Sequence, residues 1–315
     1  MLFRSRTQGV AQGMTHPLIT PVARTIRAQQ AIEGDGFVVR RPFPTMSLSH
    51  LDPFLLFDHM GPVDFAPGKG VGTPWHPHRG FETVTYVLDG HLEHRDSMGN
   101  HGFLEPGDTQ WMTAGAGILH IETPPEHLVV SGGLFHGFQL WVNLPAAKKW
   151  SPPAYQHLVA SDVALLSSAD GGALLRVIAG EIDGFKGPGS TQTPITLVHA
   201  TLQPGAELRL PWNKSYNALA YILNGNGTVG DEKHTVTTGQ LITYRDGDLI
   251  VISANKTQDS KSPELDVLIL GGLPIKEPVA WMGPFVMNTK SEVLKAFDDF
   301  QKGRSEEHTS ELQSP

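Results

Sequence analysis

One stretch of this chain occurs twice. "PWHPHRGFETVTYVLDG", beginning at Pro74, returns as "PWNKSYNALAYILNG", beginning at Pro211. Both run from Pro-Trp through an aromatic-rich segment to Tyr-Val/Ile-Leu and a turn glycine. Downstream, "GDTQWMTAGAGILHIE" from Gly107 matches "GQLITYRDGDLIVISA" from Gly239 in length and apolar pattern. The offsets are 137 residues (Trp75 to Trp212) and 132 residues (Gly107 to Gly239). Solenoid repeats have periods of roughly 20–50 residues, so an offset this long marks a duplicated domain. Two tandem copies of one fold fit comfortably in 315 residues.

The copies read as β throughout. "GFETVTYVL", "LFHGFQLWVNL", "ALLRVIAG", "ITLVHATL", "NALAYIL" and "LDVLILGG" are strand-like runs, separated by turn signals such as "PGD", "NGNG" and "RDGD". One helix is expected near the end. Thr289 and Glu292 form a capping box, and Val293, Leu294, Phe297 and Phe300 mark an apolar face. The domains are expected at 14–145 and 146–303, joined near the Pro- and Lys-rich "NLPAAKKWSPPAYQ" (143–156). Met1–Ser5 and Arg304–Pro315 resemble adapter sequence read through as protein and are set aside as non-native ends.

Composition narrows the chemistry. A formal net charge of −8 argues against direct nucleic-acid binding, which relies on Lys and Arg neutralising phosphates. With no cysteine, disulfides and thiolate ligands are excluded, and a metal site must use His, Asp or Glu. No apolar run is long enough to cross a membrane as a helix, and the N-terminal segment does not read as a secretory signal, so a cytoplasmic protein is expected. The "GPGS", "NGNG" and "GAG" stretches lack the completing residues of phosphate or dinucleotide loops and read as turns.

The repeat also contains a control. Opposite His76, Pro77 and His78 the second copy has Asn213, Lys214 and Ser215; opposite His120 and Glu122 it has Ile252 and Ala254. Four candidate ligands are missing together from a copy that keeps the strand pattern. Residues two apart on a strand share a face, so His76 with His78 and His120 with Glu122 can converge from two strands on one divalent ion. Three imidazoles and one carboxylate suit iron, manganese, nickel, cobalt, copper or zinc, and leave positions open for substrate. Glu82 shares the parity of His78, and spacing alone does not choose between it and Glu122. The unpaired His59, His91, His94, His101, His127, His136, His199 and His234 are assigned no role. Trp111, Met112, Phe135 and Phe138 are candidates to line a pocket, or plain core.

The strings "EGDGFVVRRPFP", "LDPFLLFDHMGP", "HPHRGFETVTYVLDG", "PGDTQWMTAGAGILHIE", "QLWVNLP" and "GPFVMNTKSEV" together resemble the pirin family of the cupin superfamily over most of the chain. The resemblance implies a bicupin: two antiparallel β-barrel (jelly-roll) domains in tandem, with one metal in the first. Carried over position by position, it implies His76, His78, His120 and Glu122 as ligands, deciding for Glu122 over Glu82. Gly115, where the general cupin motif carries proline, matches the pirin variant. The implied cofactor is one divalent transition metal, with iron(II) expected. The implied activity resembles quercetin 2,3-dioxygenase, which opens a flavonol with dioxygen and releases carbon monoxide, with Glu122 taking the substrate's hydroxyl proton. The alternative is a metal-sensitive transcription co-regulator that binds a protein partner without catalysis.

Overall fold

The computed structural model describes residues 17–34, 36–259 and 262–304. Of the set-aside ends, 1–5 and 304–315, all but Arg304 lie outside the described residues. Among the described residues, no helix is long and apolar enough to cross a membrane.

The chain forms two compact units, and each is a pair of facing antiparallel sheets rather than a closed barrel. In the unit bearing the histidines, the small sheet runs Thr73–His78, Ile118–Thr123, Leu92–Asp96, His101–Leu104. The large sheet runs Ala154–Leu158, Thr109–Thr113, Phe81–Asp89, Gly133–Asn143, Phe54–Phe65, Phe37–Phe43, Gln29–Glu33. Burial alternates residue by residue along Ile118–Thr123, the signature of a strand with one inward face. Phe81–Asp89 is instead buried for seven consecutive residues, as a central strand covered on both faces must be.

The second unit repeats this plan. Its small sheet, Glu207–Pro211, Leu249–Ala254, Asn226–Val229, His234–Thr237, follows the same strand order as its counterpart. Ile252 and Ala254 belong there to a continuous apolar core with Leu175, Val198 and Ile222. Where the first copy carries His120 and Glu122, the second carries packed hydrocarbon.

The units take their residues differently from the sequence expectation of 14–145 and 146–303. One combines the segment up to Ala28 with Val163–Pro274; the other combines Gln29–Asp162 with the chain from Ile275 onward. Strand pairing is the cause. Val22–Arg27, which precedes the first copy, pairs with Gln240–Tyr244 of the second. Ala154–Leu158, which precedes the second copy, pairs with Thr109–Thr113 of the first. Each copy thus covers an edge strand with the arm ahead of the other copy, removing an exposed edge.

The last segment completes the histidine-bearing unit. Helix Lys290–Gln301 opens with the expected capping box between Thr289 and Glu292. Its inner face is Val293, Ala296, Phe297 and Phe300, packed on Phe285 and Met287; Leu294 is half exposed, contrary to the expected stripe. Ahead of the helix, the backbone of Pro284–Val286 brackets the turn after His78. Arg79 N–H donates to the Pro284 carbonyl at 3.4 Å, and Val286 N–H to the Arg79 carbonyl at 3.0 Å. Gly80 makes this approach possible: at φ +88° a Cβ would stand 2.0 Å from the Val286 carbonyl oxygen. Gly115, at φ +51°, sits where proline, locked near −65°, cannot.

Candidate metal centre

The small sheet brings the imidazoles together. His120 lies directly across from His76, and Ile118 across from His78, with a register irregularity before Glu122. The His76 and His120 ring centroids are 4.3 Å apart, His76 and His78 4.7 Å, and His78 and His120 4.9 Å. One donor atom from each of the three lies within 4.8 Å of the others. A carbonyl can only accept, so His76 Nδ1 donates to the Pro74 carbonyl at 2.7 Å, leaving Nε2 as a bare lone pair. His78 Nδ1 faces the Pro284 carbonyl in the same sense at 3.4 Å, and its ring packs against Trp141 and Phe81. The C-terminal segment thus reaches the centre.

His120 is the telling residue. It is fully buried, yet among the described residues neither ring nitrogen has a hydrogen-bond partner. A buried imidazole without a partner is costly, and a cation supplies what is missing. Burial pushes His120 and His78 well below the ordinary histidine value, and neighbouring imidazoles push the same way. Both are therefore neutral at physiological pH, the form that ligates.

Glu122 stands beside His120 in a second cluster, which also contains His94. Three donors from the large sheet fix its carboxylate. Thr85 Oγ1 donates to Oε1 at 2.9 Å, Gln110 Nε2 also donates to Oε1, and Gln139 Nε2 donates to Oε2 at 2.8 Å. The donors form one transverse row, since Thr85 lies across from both Gln139 and Gln110, and directly opposed residues share a face. Oε2 carries one donor to Oε1's two and keeps more room for a cation or a proton. Glu82 lies outside both clusters, fully buried, with Thr113 Oγ1 donating to its Oε1 at 2.7 Å.

His94, given no role from sequence, belongs to this centre by position. It lies across from Glu122, as Asp96 lies across from His120. Its Nε2 donates to Asp96 Oδ2 at 3.2 Å, and its ring stacks on Tyr155 at 4.6 Å. Despite the opposing effect of burial, hydrogen bonds from His94 and Asn100 hold Asp96 below the ordinary carboxylate value. The available signal was the His-x-Asp spacing, which puts both side chains on one face of a strand.

A cavity of about 470 Å3, within the usual size of a small-molecule site, opens on His76, His78 and Glu122. Its walls are mostly apolar, including Phe37, Leu56, Phe135, Trp141 and Trp281, with Thr85 and Gln139 beside the carboxylate. Of the four pocket candidates, Phe135 lines it; Trp111, Met112 and Phe138 are fully buried and do not. The centre thus combines a donor set that fits a divalent transition ion with an adjoining, mostly apolar chamber.

The family model for pirin matches residues 36–142, and that for the pirin C-terminal cupin domain matches 197–306. A pirin-like protein of Solanum lycopersicum is 39% identical over 285 residues, covering 90% of this chain and 92% of that protein. A crystal structure of quercetin 2,3-dioxygenase from Acinetobacter baumannii is 35% identical and superposes with a TM-score of 0.84, covering 92% of this chain and all of that one. The bacterial pirin YhhW from Escherichia coli, solved in complex with nickel(II), shares the fold at 20% identity and a TM-score of 0.60, covering 80% of this chain and 98% of its own. The chain belongs to the pirin family, two cupin domains in tandem of which the first carries the histidine cluster.

Proposed function

We propose that this chain is a metal-dependent dioxygenase that opens a flavonol such as quercetin, taking up dioxygen and releasing carbon monoxide, with iron(II) held by His76, His78, His120 and Glu122. The observation that carries the reading is the buried, unpartnered His120 grouped with His76 and His78, the two imidazoles that line an apolar cavity. An ion held by His76, His78, His120 and Glu122 would supply Lewis-acid stabilisation of the substrate's ionised hydroxyl. Everything else falls to the chain. The Trp141 and Trp281 rings, packed on each other with centroids 5.6 Å apart, form a wall for an aromatic guest to lie against. Glu122, held by Thr85, Gln110 and Gln139, offers Oε2 to the substrate's hydroxyl proton. The solved Acinetobacter relative bearing the quercetin 2,3-dioxygenase name supports the substrate class.

The test is to load the protein with iron(II), manganese(II), nickel(II), cobalt(II) or copper(II) in turn and follow quercetin absorbance and carbon monoxide under air. Turnover with at least one metal, abolished by His120→Ala together with metal binding, is expected. If every metal binds and none supports turnover, the enzyme reading falls and a metal-sensitive binding protein takes its place.

A further inference from the structure

The cavity that opens on the metal cluster is also lined by a group of paired charges that the chemistry above does not use. Arg41 Nε donates to Asp58 Oδ1 at 2.7 Å, and Nη2 to Asp58 Oδ2 at 2.5 Å; the same Nη2 also donates to Glu33 Oε1. The Asp58 side chain is 4% exposed, Arg41 17% and Glu33 44%. All three line the cavity. Asp58 lies directly across from Gln139, whose amide holds Glu122, so the polar row that fixes the metal carboxylate continues into this cluster.

We infer that Glu33, Arg41 and Asp58 form a hydroxyl-accepting subsite that selects neutral, polyhydroxylated aromatic substrates over aromatic acids. The inference rests on the dioxygenase reading for its substrate class. One guanidinium faces two carboxylates, so the cluster carries excess negative charge. Among the described residues that line the cavity, Arg41 stands alone against Glu33, Asp58 and Glu122. A divalent ion at the histidines would bring that balance to neutral, leaving room for one ionised hydroxyl on the ion and no complement for a carboxylate substituent. Burial pushes the Asp58 carboxyl up to about 6, against the pull of Arg41, so it remains an acceptor at neutral pH. Arg41 already satisfies the carboxylates in one direction, and each oxygen retains a lone pair for a phenolic O–H. An ion pair serving stability alone has no reason to face a chamber, since replacing such pairs with apolar residues is often neutral or stabilising.

The experiment measures binding rather than turnover. Quercetin, 3-hydroxyflavone (the metal-directed hydroxyl without the others) and a carboxylated flavonol are titrated into the metal-loaded protein by quenching of tryptophan fluorescence. Asp58→Asn and the half-exposed Glu33→Gln, which leaves the Arg41–Asp58 pair intact, are compared with the unaltered chain. Quercetin should lose roughly tenfold or more in affinity in each variant, the worth of a hydrogen bond to a charged group. 3-Hydroxyflavone should be unchanged, and the carboxylated flavonol should bind better once a charge is removed. Equal weakening of quercetin and 3-hydroxyflavone in Glu33→Gln, or no weakening of either, overturns the subsite. Selective binding without turnover would sink the dioxygenase reading and leave the subsite standing; turnover without selectivity would do the reverse.

Discussion

Lys149 is buried to 1% exposure, with its ammonium donating to the Gly80 carbonyl at 2.8 Å, Asn143 Oδ1 at 2.7 Å and the Val286 carbonyl at 2.9 Å. It joins the turn after His78 to the C-terminal segment that reaches the same histidine. Lys149→Met keeps the volume and removes the donors. Three acceptors left unmet cost roughly 1–2 kcal/mol each, about 3–6 kcal/mol together. Relief of the buried charge offsets part of that, for a net loss of ~2–4 kcal/mol near pH 7. The pH dependence separates this account from a generic core defect. Burial lowers the Lys149 ammonium from 10.5 to about 7. Between those values the unfolded chain holds a proton that the folded chain has released, which leaves a neutral amine with two N–H donors for the three acceptors, and the lysine's contribution rises with pH. It is complete above 10.5 and lost as pH falls through about 7. In urea unfolding of the metal-free protein, the gap between parent and variant should therefore widen by up to about 1.4 kcal/mol per pH unit from 7.5 to 9. A flat gap would mean that the folded lysine keeps its proton, and no gap at all would refute the anchoring role. Chelator competition at pH 7.5 should also show weaker metal binding, because the His78 turn loses its brace.

Three further outcomes follow from the same geometry. Gly80→Ala forces a β-carbon into a left-handed backbone 2.0 Å from the Val286 carbonyl oxygen and should cost more than ~2 kcal/mol, with reduced metal content; an unaltered unfolding midpoint would show that this approach is not required. Gln110→Leu removes a donor to Glu122 while leaving the three imidazoles in place, and should weaken metal binding roughly 10–100-fold in chelator competition; unchanged affinity would separate Glu122 from the ion. Elemental analysis should find one ion per chain, because Ile252 and Ala254 fill the equivalent place in the second unit with apolar core; two ions would contradict that packing.

What was legible in the sequence was what a strand's period of two can encode. His76 with His78 and His120 with Glu122 each declare a shared face within one short segment, and the duplicated copy shows which residues are dispensable to the fold. The duplicated β fold and the capped helix were legible on the same local grounds, whereas the barrel that the family resemblance implied is a pair of open sheets. Partners chosen by pairing across strands were not. Glu122 takes its donors from Thr85, Gln110 and Gln139, on three different strands, and no linear spacing announces that these side chains form a row. The exchanged outer strands escaped for a similar reason: neither Val22–Arg27 nor Ala154–Leu158 stood among the strand-like runs, and nothing local tells a strand which copy it will pair with. Leu294 fits a helical stripe in sequence and faces outward, because the helix presents Ala296 to Phe285 and Met287 instead.

The unevenness of the two copies follows from the cost of buried polarity. His94, His120 and Glu122 are inward-facing positions of a sandwich core, where an unpaired polar atom costs on the order of 1–3 kcal/mol. The second unit meets that requirement with hydrocarbon at Ile252 and Ala254. The first meets it with a polar row from the opposite sheet around Glu122, and still leaves both nitrogens of His120 unmatched. Such a deficit, in a cluster whose His76 and His78 line a cavity, is one that a bound ion would relieve. If so, replacing His120 by an apolar residue of similar size should raise the unfolding midpoint of the metal-free protein while abolishing metal binding. A lower midpoint in the metal-free state would mean that His120 is stabilised by protein contacts and that the deficit is not real.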